Sequence, residues 1–281
     1  MVSGLLDHHD VYCLIWKDAG DIPVEEGPFG LEHNIRYVVE SLTQTGRAHV
    51  IGLCQSALPA LAATAIVASE PNRPATLTLL GGKLDTRINP TRLDSLARRY
   101  PLSWFEEFVV TTVPSFRRGH GRRVYPATTE LMMLSVYLMR NLWSGGELFR
   151  KILYDDGADP VHHSFLRSFF AVADIPAEFF LDTIACVFHN SALAQGGLTW
   201  KGTKIAPENI LDTALFTIEG ELDDISGLGQ THIAHDLCPR IPPGWRERFH
   251  CRQAGHLGLF YGDTWRREVL PRVISFIRQH D

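Results

Sequence analysis

The stretch from His49 to Ala68 constrains this chain more than any other. Val50 and Ile51 close a short apolar run, which predicts a buried strand. Ala57 to Ala68 is small, apolar and Ala-rich, which predicts a buried helix. Only Gly52-Leu53-Cys54-Gln55-Ser56 stands between them. A strand that turns directly into a helix through Gly-x-nucleophile-x-small is a nucleophile elbow. The turn is tight and strained, so its neighbours must be small. The nucleophile is lifted clear of the sheet at a helix N-terminus, where the dipole favours an anion such as a thiolate. Cys54 is the candidate nucleophile, and Ser56 takes the fifth place, where glycine is usual. The stretch alone leaves a second reading open: a buried structural cysteine ahead of a core helix, since free Cys is among the most buried residue types.

A chain of 281 residues is long enough for one large domain or a domain with an inserted lid. With 45% hydrophobic and 21% charged residues it has the composition of a globular protein. The net charge of -5 does not suggest a nucleic-acid surface. The exception is the basic cluster Arg117-Arg118-Gly119-His120-Gly121-Arg122-Arg123, read as a solvated loop, with contact to an anionic or polymer surface as the alternative. No apolar run reaches transmembrane length, and no signal-peptide pattern opens the chain, so a cytoplasmic location is expected. Cys13, Cys54, Cys186, Cys238 and Cys251 are odd in number and widely spaced, which suits reduced thiols better than a disulfide framework. No pair has zinc-site Cys-x-x-Cys spacing, and neither metal nor cofactor is expected.

Along the chain, Val11 to Trp16 is a short apolar and aromatic run that predicts a strand. Turn residues follow, and Leu31 to Thr45 then carries apolar residues at helical spacing, with Gly46 as C-cap. After the elbow, Ala75 to Leu80 predicts another buried strand, closed by Gly81-Gly82. This alternation of strands and helices is the signature of a parallel sheet with helices on both faces. From about residue 89 the pattern turns helical and aromatic, with Trp104, Phe105, Phe149, Phe165, Phe169, Phe170, Phe179 and Phe180 among its rings and a helix predicted over Thr129 to Leu142. Residues about 101–205 are therefore expected to form a helical lid inserted into a single domain whose core is about 1–100 and 206–281. A flank of the core is the alternative. Ala214 to Gly220 resumes the sheet pattern, and Trp265 to Gln279 predicts a C-terminal helix.

The order nucleophile, acid, histidine is that of α/β-hydrolases, and here it is Cys54, Asp223 and His256. Asp223 lies just past the Ala214–Gly220 strand, where an orienting carboxylate is expected; Asp224 beside it is read as a cap of the next turn. His256 is singled out among thirteen histidines by its Gly-His-x-Gly loop. The expected roles are attack by Cys54, proton transfer by His256, orientation by Asp223, and one oxyanion donor from the backbone N–H of Gln55.

At these residues the chain resembles the intracellular poly(3-hydroxybutyrate) depolymerases, polyhydroxyalkanoate depolymerases with a cysteine nucleophile. The matching stretches are Asp10-Val11-Tyr12 through Trp16, Glu26-Gly27-Pro28-Phe29, Cys54-Gln55 with Pro59, and Leu80-Gly81-Gly82 with Asp85-Thr86-Arg87-Asn89-Pro90. Two more are Glu219 to Gly227 and Gly255 to Phe260. The resemblance implies an α/β-hydrolase fold and hydrolysis of (R)-3-hydroxyacyl esters in stored polyester granules or their oligomers. It implies the same three catalytic residues, Cys54, Asp223 and His256. Two features depart from the pattern. Ser56 stands where Pro usually follows Gln. The family also has a further N-terminal region with an earlier strand and the loop giving the second oxyanion donor, so low turnover is expected of the chain as given. A polyhydroxyalkanoate synthase-like acyltransferase and an inactive granule-binding homologue are the alternatives. Synthase-type elbows continue Gly-x-Cys-x-Gly-Gly, and Gln55-Ser56-Ala57 does not.

Overall fold

The computed structural model describes residues 1–133 and 172–281. The apolar runs around the elbow become strands of one parallel sheet. Its strands are β1 (His49–Leu53), β2 (Thr76–Leu80), β3 (Ala214–Gly220) and β4 (Arg246–Cys251), side by side in that order. Every residue of β2 and β3 is buried, as a parallel sheet covered on both faces requires. β1 and β4 are the outer strands. The register sets Leu53 beside Leu80, Leu80 beside Ile218 and Gly220 beside Cys251, so the carboxyl ends of the strands form one edge.

Four helices matter for the site: α1 (Leu31–Thr45), α2 (Ala57–Ile66), α3 (Arg92–Arg99) and α4 (Leu270–Gln279). The period-two alternation of strands assigns them to faces. Leu80, Phe216 and Ile218, with Ile51 and Leu53, pack against Val273, Phe276 and Ile277 of α4. Gly52 and Leu79 point the other way, to α2, on which α1 packs in turn. α2 is buried at every position but its last, so its alanines make a close-packed layer rather than an amphipathic stripe. α1 ends where the spacing predicts, on Gly46 with φ +70°, and its first N–H, from Leu31, is donated to Oδ2 of Asp182 at 2.9 Å.

The described chain falls into two compact units. The sheet-bearing unit comprises residues 1–14, 29–101 and 182–281. The other comprises residues 15–28 and 102–181. In that second unit, Thr111–Thr112, Arg123–Tyr125 and Ile175–Pro176 form a short antiparallel sheet, and Tyr125 stacks on Phe180 at 4.4 Å. The helix predicted over Thr129 to Leu142 is helical as far as residue 133; its remainder, with Phe149, Phe165, Phe169 and Phe170, lies outside the described residues.

Two expectations are corrected. Among the described residues Val11 to Trp16 pairs with no strand, and Tyr12 and Ile15 are 81% and 85% exposed. Its composition suits a strand, but pairing needs a neighbouring edge, and composition cannot report one. The cluster from Arg117 to Arg123 is also not simply a solvated loop. Arg117 bridges Asp18, Asp21 and Asp174, at 3.0, 2.9 and 2.5 Å. Arg122 is 7% exposed and donates to the carbonyls of Ile22, Pro23 and Gly27. The five-donor fork of arginine makes such internal struts, which a charge count reads as surface.

Candidate active site

β1 delivers Cys54 to the carboxyl edge of the sheet in a strained conformation. Its φ is +47°, in the left-handed region that non-glycine residues avoid. A single 3-10 turn over Cys54–Ser56 then leads into α2. Ser56 secures the turn: its hydroxyl accepts the Leu53 N–H at 2.7 Å and donates to the Leu53 carbonyl at 2.8 Å. A serine at this place therefore supplies local bonds that glycine could not. The requirement for small neighbours is visible on both sides. A Cβ on Gly52 would stand 2.9 Å from that of Ala60, and one on Gly82 only 2.1 Å from that of Ala57.

The cysteines are not equivalent. Cys238 and Cys251 are buried, and burial pushes their thiols up to about 12 and about 11. Burial likewise raises Cys186. Cys54 is half-buried, and Cys13 is exposed.

β3 delivers the acid. Asp223 follows the strand by three residues, and its side chain is 1% exposed. Its two oxygens have separate partners. Oδ2 lies 2.7 Å from Nδ1 of His256, while Oδ1 accepts the N–H groups of Ile225 and Ser226 at 2.9 and 2.8 Å. Asp223 thus makes turn-capping bonds of its own beside its bond to His256. The loop is then fastened to the turn after β2: the hydroxyls of Ser226 and Thr231 both donate to the carbonyl of Gly82, at 3.1 and 2.8 Å. Glu219, 2% exposed within β3, accepts N–H groups from Gly229, Thr231 and His232 at 2.7, 2.7 and 2.8 Å. Three charge-assisted bonds hold this buried carboxylate and the loop together.

β4 delivers the histidine. After Cys251 the chain turns through Gly255, and His256 opens a 3-10 turn with its side chain 4% exposed. Gly81, with φ +55°, lies flat against the ring; a Cβ there would be 3.1 Å from Cε1 of His256. The edge of the ring meets Phe260 at 5.3 Å. Burial alone would lower its pKa, but the hydrogen bonds and charges of Asp223 and Cys54 outweigh burial and raise it to about 10. Asp223, at 2.7 Å, and Cys54 are thus the two groups that favour a proton on this ring.

The predicted Cys54, Asp223 and His256 are therefore brought together at one sheet edge, with Gln55 next in the elbow turn. Thiol, imidazole and carboxylate in series are what nucleophilic acyl transfer needs. Glu219, Ser226 and Thr231 received no role from sequence. Glu219 had a signal, an acid inside an otherwise apolar strand. Among the described residues no cluster of His, Cys, Asp or Glu could hold a metal ion, and no helix is long and apolar enough to cross a membrane.

The family model for the PHB de-polymerase C-terminus matches residues 81–281. That range includes Asp223 and His256; Cys54 precedes it. No curated protein matches the chain. Among solved structures, BpoC from Mycobacterium tuberculosis H37Rv is 15% identical with a TM-score of 0.53, covering 94% of this chain and 80% of its own. The monoacylglycerol lipase of Paleococcus ferrophilus is 12% identical with a TM-score of 0.50, covering 91% and 77%. The α/β hydrolase GrgF of Penicillium sp. sh18 is 15% identical with a TM-score of 0.50, covering 90% and 73%. At such identities the likeness speaks for the fold alone, and that fold is the α/β-hydrolase fold.

Proposed function

The chain belongs to the PHB de-polymerase C-terminus family, and from that premise we propose that it is a thiol-dependent hydrolase of (R)-3-hydroxybutyrate polyester or its oligomers. The supporting observation is His256 held between Asp223 and the positive-φ Cys54. In this reading the Cys54 thiolate attacks an ester carbonyl, and the Gln55 N–H donates to the oxyanion. His256 gives its proton to the departing alkoxide, leaving a thioester on Cys54. A water then loses a proton to His256 and attacks the thioester. The thiolate departs, and a hydroxy acid is released. Asp223 holds the imidazole by Nδ1 throughout and stabilises its cationic form. The partner is a polyester granule or a free hydroxyacid oligomer in the cytoplasm. No metal or cofactor takes part in these steps.

The test is hydrolysis of a short hydroxybutyrate oligomer by the wild-type chain and by Cys54→Ala, with mass spectrometry of the quenched enzyme. Release of free hydroxybutyrate and an acyl adduct on the Cys54 peptide are expected, both lost in Cys54→Ala. Undiminished turnover by the alanine variant would remove Cys54 from the reaction. Acyl transfer from a coenzyme A thioester without hydrolysis would make the chain a transferase.

A further inference from the structure

The turn after β2 consists of two glycines, and the histidine and the elbow rest on it from different sides. Gly81 lies against the imidazole: a Cβ there would be 3.1 Å from Cε1 of His256 and 3.2 Å from Nδ1, the atom that meets Asp223. Gly82 lies against the elbow: a Cβ there would be 2.1 Å from that of Ala57 and 3.3 Å from the carbonyl oxygen of Cys54. A pair of glycines has no side chain to pack and unusual backbone freedom, so bonds from outside must fix it. The Gly81 N–H is donated to the carbonyl of Ile218 at 3.0 Å. The Gly82 carbonyl accepts two hydroxyls, from Ser226 at 3.1 Å and from Thr231 at 2.8 Å.

Both donors are buried, 2% and 0% exposed, and each is tied through its own N–H to a carboxylate. The Ser226 N–H is donated to Oδ1 of Asp223 at 2.8 Å, and the Thr231 N–H to Oε1 of Glu219 at 2.7 Å. Ser226 therefore connects the acid to the glycine turn within one residue, and Thr231 connects β3 to the same carbonyl. Further along, the two segments are joined again. The Leu84 N–H is donated to the carbonyl of Gln230 at 3.1 Å. Nε2 of Gln230 donates to Oδ2 of Asp94 at 2.8 Å, and Oδ1 of Asp94 holds the Lys83 ammonium at 2.5 Å. These bonds keep the segments together without the two hydroxyls. What the hydroxyls add is the placement of one peptide, the one on which the ring and the elbow rest.

We propose, resting on the hydrolase reading above, that Ser226 and Thr231 are positioning residues whose hydroxyls on Gly82 set the glycine turn that aligns His256 with Asp223 and the elbow. The first readout needs no ester. It is the proton NMR resonance of the His256 Nδ1–H, shifted downfield by its bond to Asp223 and identified by its loss in Asp223→Asn. The second is kcat and KM for hydrolysis of a short hydroxybutyrate oligomer. Thr231→Val keeps the shape and the N–H but has no hydroxyl, Thr231→Ser restores the hydroxyl, and Ser226→Ala removes the longer bond. Thr213→Val is the control. Thr213 is 1% exposed and donates to the carbonyl of Pro74 at 2.7 Å, just before β3 at the opposite edge of the sheet. Thr231→Val should displace the resonance and lower kcat by about 10²-fold with KM unchanged, as a small misplacement of reacting groups does. Ser226→Ala should do the same to a smaller degree, and Thr231→Ser should recover both readouts. Thr213→Val should lose as much melting temperature as Thr231→Val yet keep the wild-type resonance and kcat. Wild-type readouts in Thr231→Val overturn the proposal, as does Thr231→Ser no better than Thr231→Val, or Thr213→Val that harms the site as much. If Thr231→Val does not fold, Ser226→Ala decides against the same control. A wild-type spectrum without the resonance also overturns it, since the ring then has no fixed place to lose. Failure of the hydrolase reading shows instead as turnover that survives Cys54→Ala, with the resonance unaffected.

Discussion

Nδ1 of His256 lies 2.7 Å from Oδ2 of Asp223, with the two side chains 4% and 1% exposed. The other oxygen of the same carboxylate fastens its own loop, through Ile225 and Ser226. Orientation and loop structure thus meet in one side chain, and different substitutions should separate them.

Asp223→Asn keeps an acceptor for the Ile225 and Ser226 N–H groups but offers the imidazole the wrong partner. Turnover should fall steeply, about 10⁴-fold in the serine-protease precedent, with a small change in melting temperature. Asp223→Ala should lose the same activity and in addition about 1–3 kcal/mol of stability, because two N–H groups lose their acceptor. Paired kinetics and melting curves check this. Equal melting temperatures for the two variants would mean that the loop bonds do not stabilise the fold.

Gly82 and Ala57 press the β2 turn against the elbow. Gly82→Ala puts a Cβ 2.1 Å from that of Ala57, so something must move. A loss of about 1–3 kcal/mol is expected, as for other overpacked cores. Ala57→Gly removes the clashing methyl, and in the double variant the two effects should be strongly non-additive in the direction of rescue. Additive losses in urea denaturation would show that the backbone, rather than this methyl pair, takes up the strain.

The legible part of this chain was the part in which local chemistry and tertiary context agree. Gly52 to Ser56 is legible because a tight turn between a strand and a helix excludes large residues, and Gly46 because a left-handed C-cap favours glycine. Asp223 was legible from a strand end, and His256 from its Gly-His-x-Gly loop and chain order. Val11 to Trp16 misled, since a strand exists only where an edge receives it. β4 was not named as a strand because Arg246, Glu247 and Arg248 make an outer strand look like loop. The Lys83–Asp94 pair was illegible because its two members lie on different elements, and a lone lysine reads as surface. Ser226 and Thr231 meet at one carbonyl that no spacing rule connects to them.

The raised pKa of His256 makes the stability of the fold depend on pH. The folded ring binds its proton more tightly than an unfolded histidine does, with a folded pKa of about 10 against 6.5. That contribution is fully present below pH 6.5 and is lost as pH rises toward about 10. In His256→Gln it is absent at every pH. The melting-temperature advantage of wild type over His256→Gln should therefore shrink steadily across that range. An advantage that is constant, or grows with pH, would mean that the proton is not held on this ring.

Cys54 adopts φ +47° in a place where glycine would be relaxed. Neither Cys54→Ala nor Cys54→Gly can attack an ester, so the two variants differ in backbone preference without a difference in chemistry. Alanine retains the strain of a left-handed conformation, roughly 1–2 kcal/mol for an L-residue. Glycine removes that strain but gives back part of the gain, roughly 0.5–1 kcal/mol, through the greater freedom of the unfolded chain. The net expectation is that Cys54→Gly is the more stable variant, by up to about 1 kcal/mol, in urea denaturation at equal m-value. Such a result would mark the elbow as a place where stability is given up to present a thiol. If Cys54→Ala proves the more stable, the left-handed turn carries no strain, and the requirement for small residues here comes from Gly52, Ala57 and Gly82 alone.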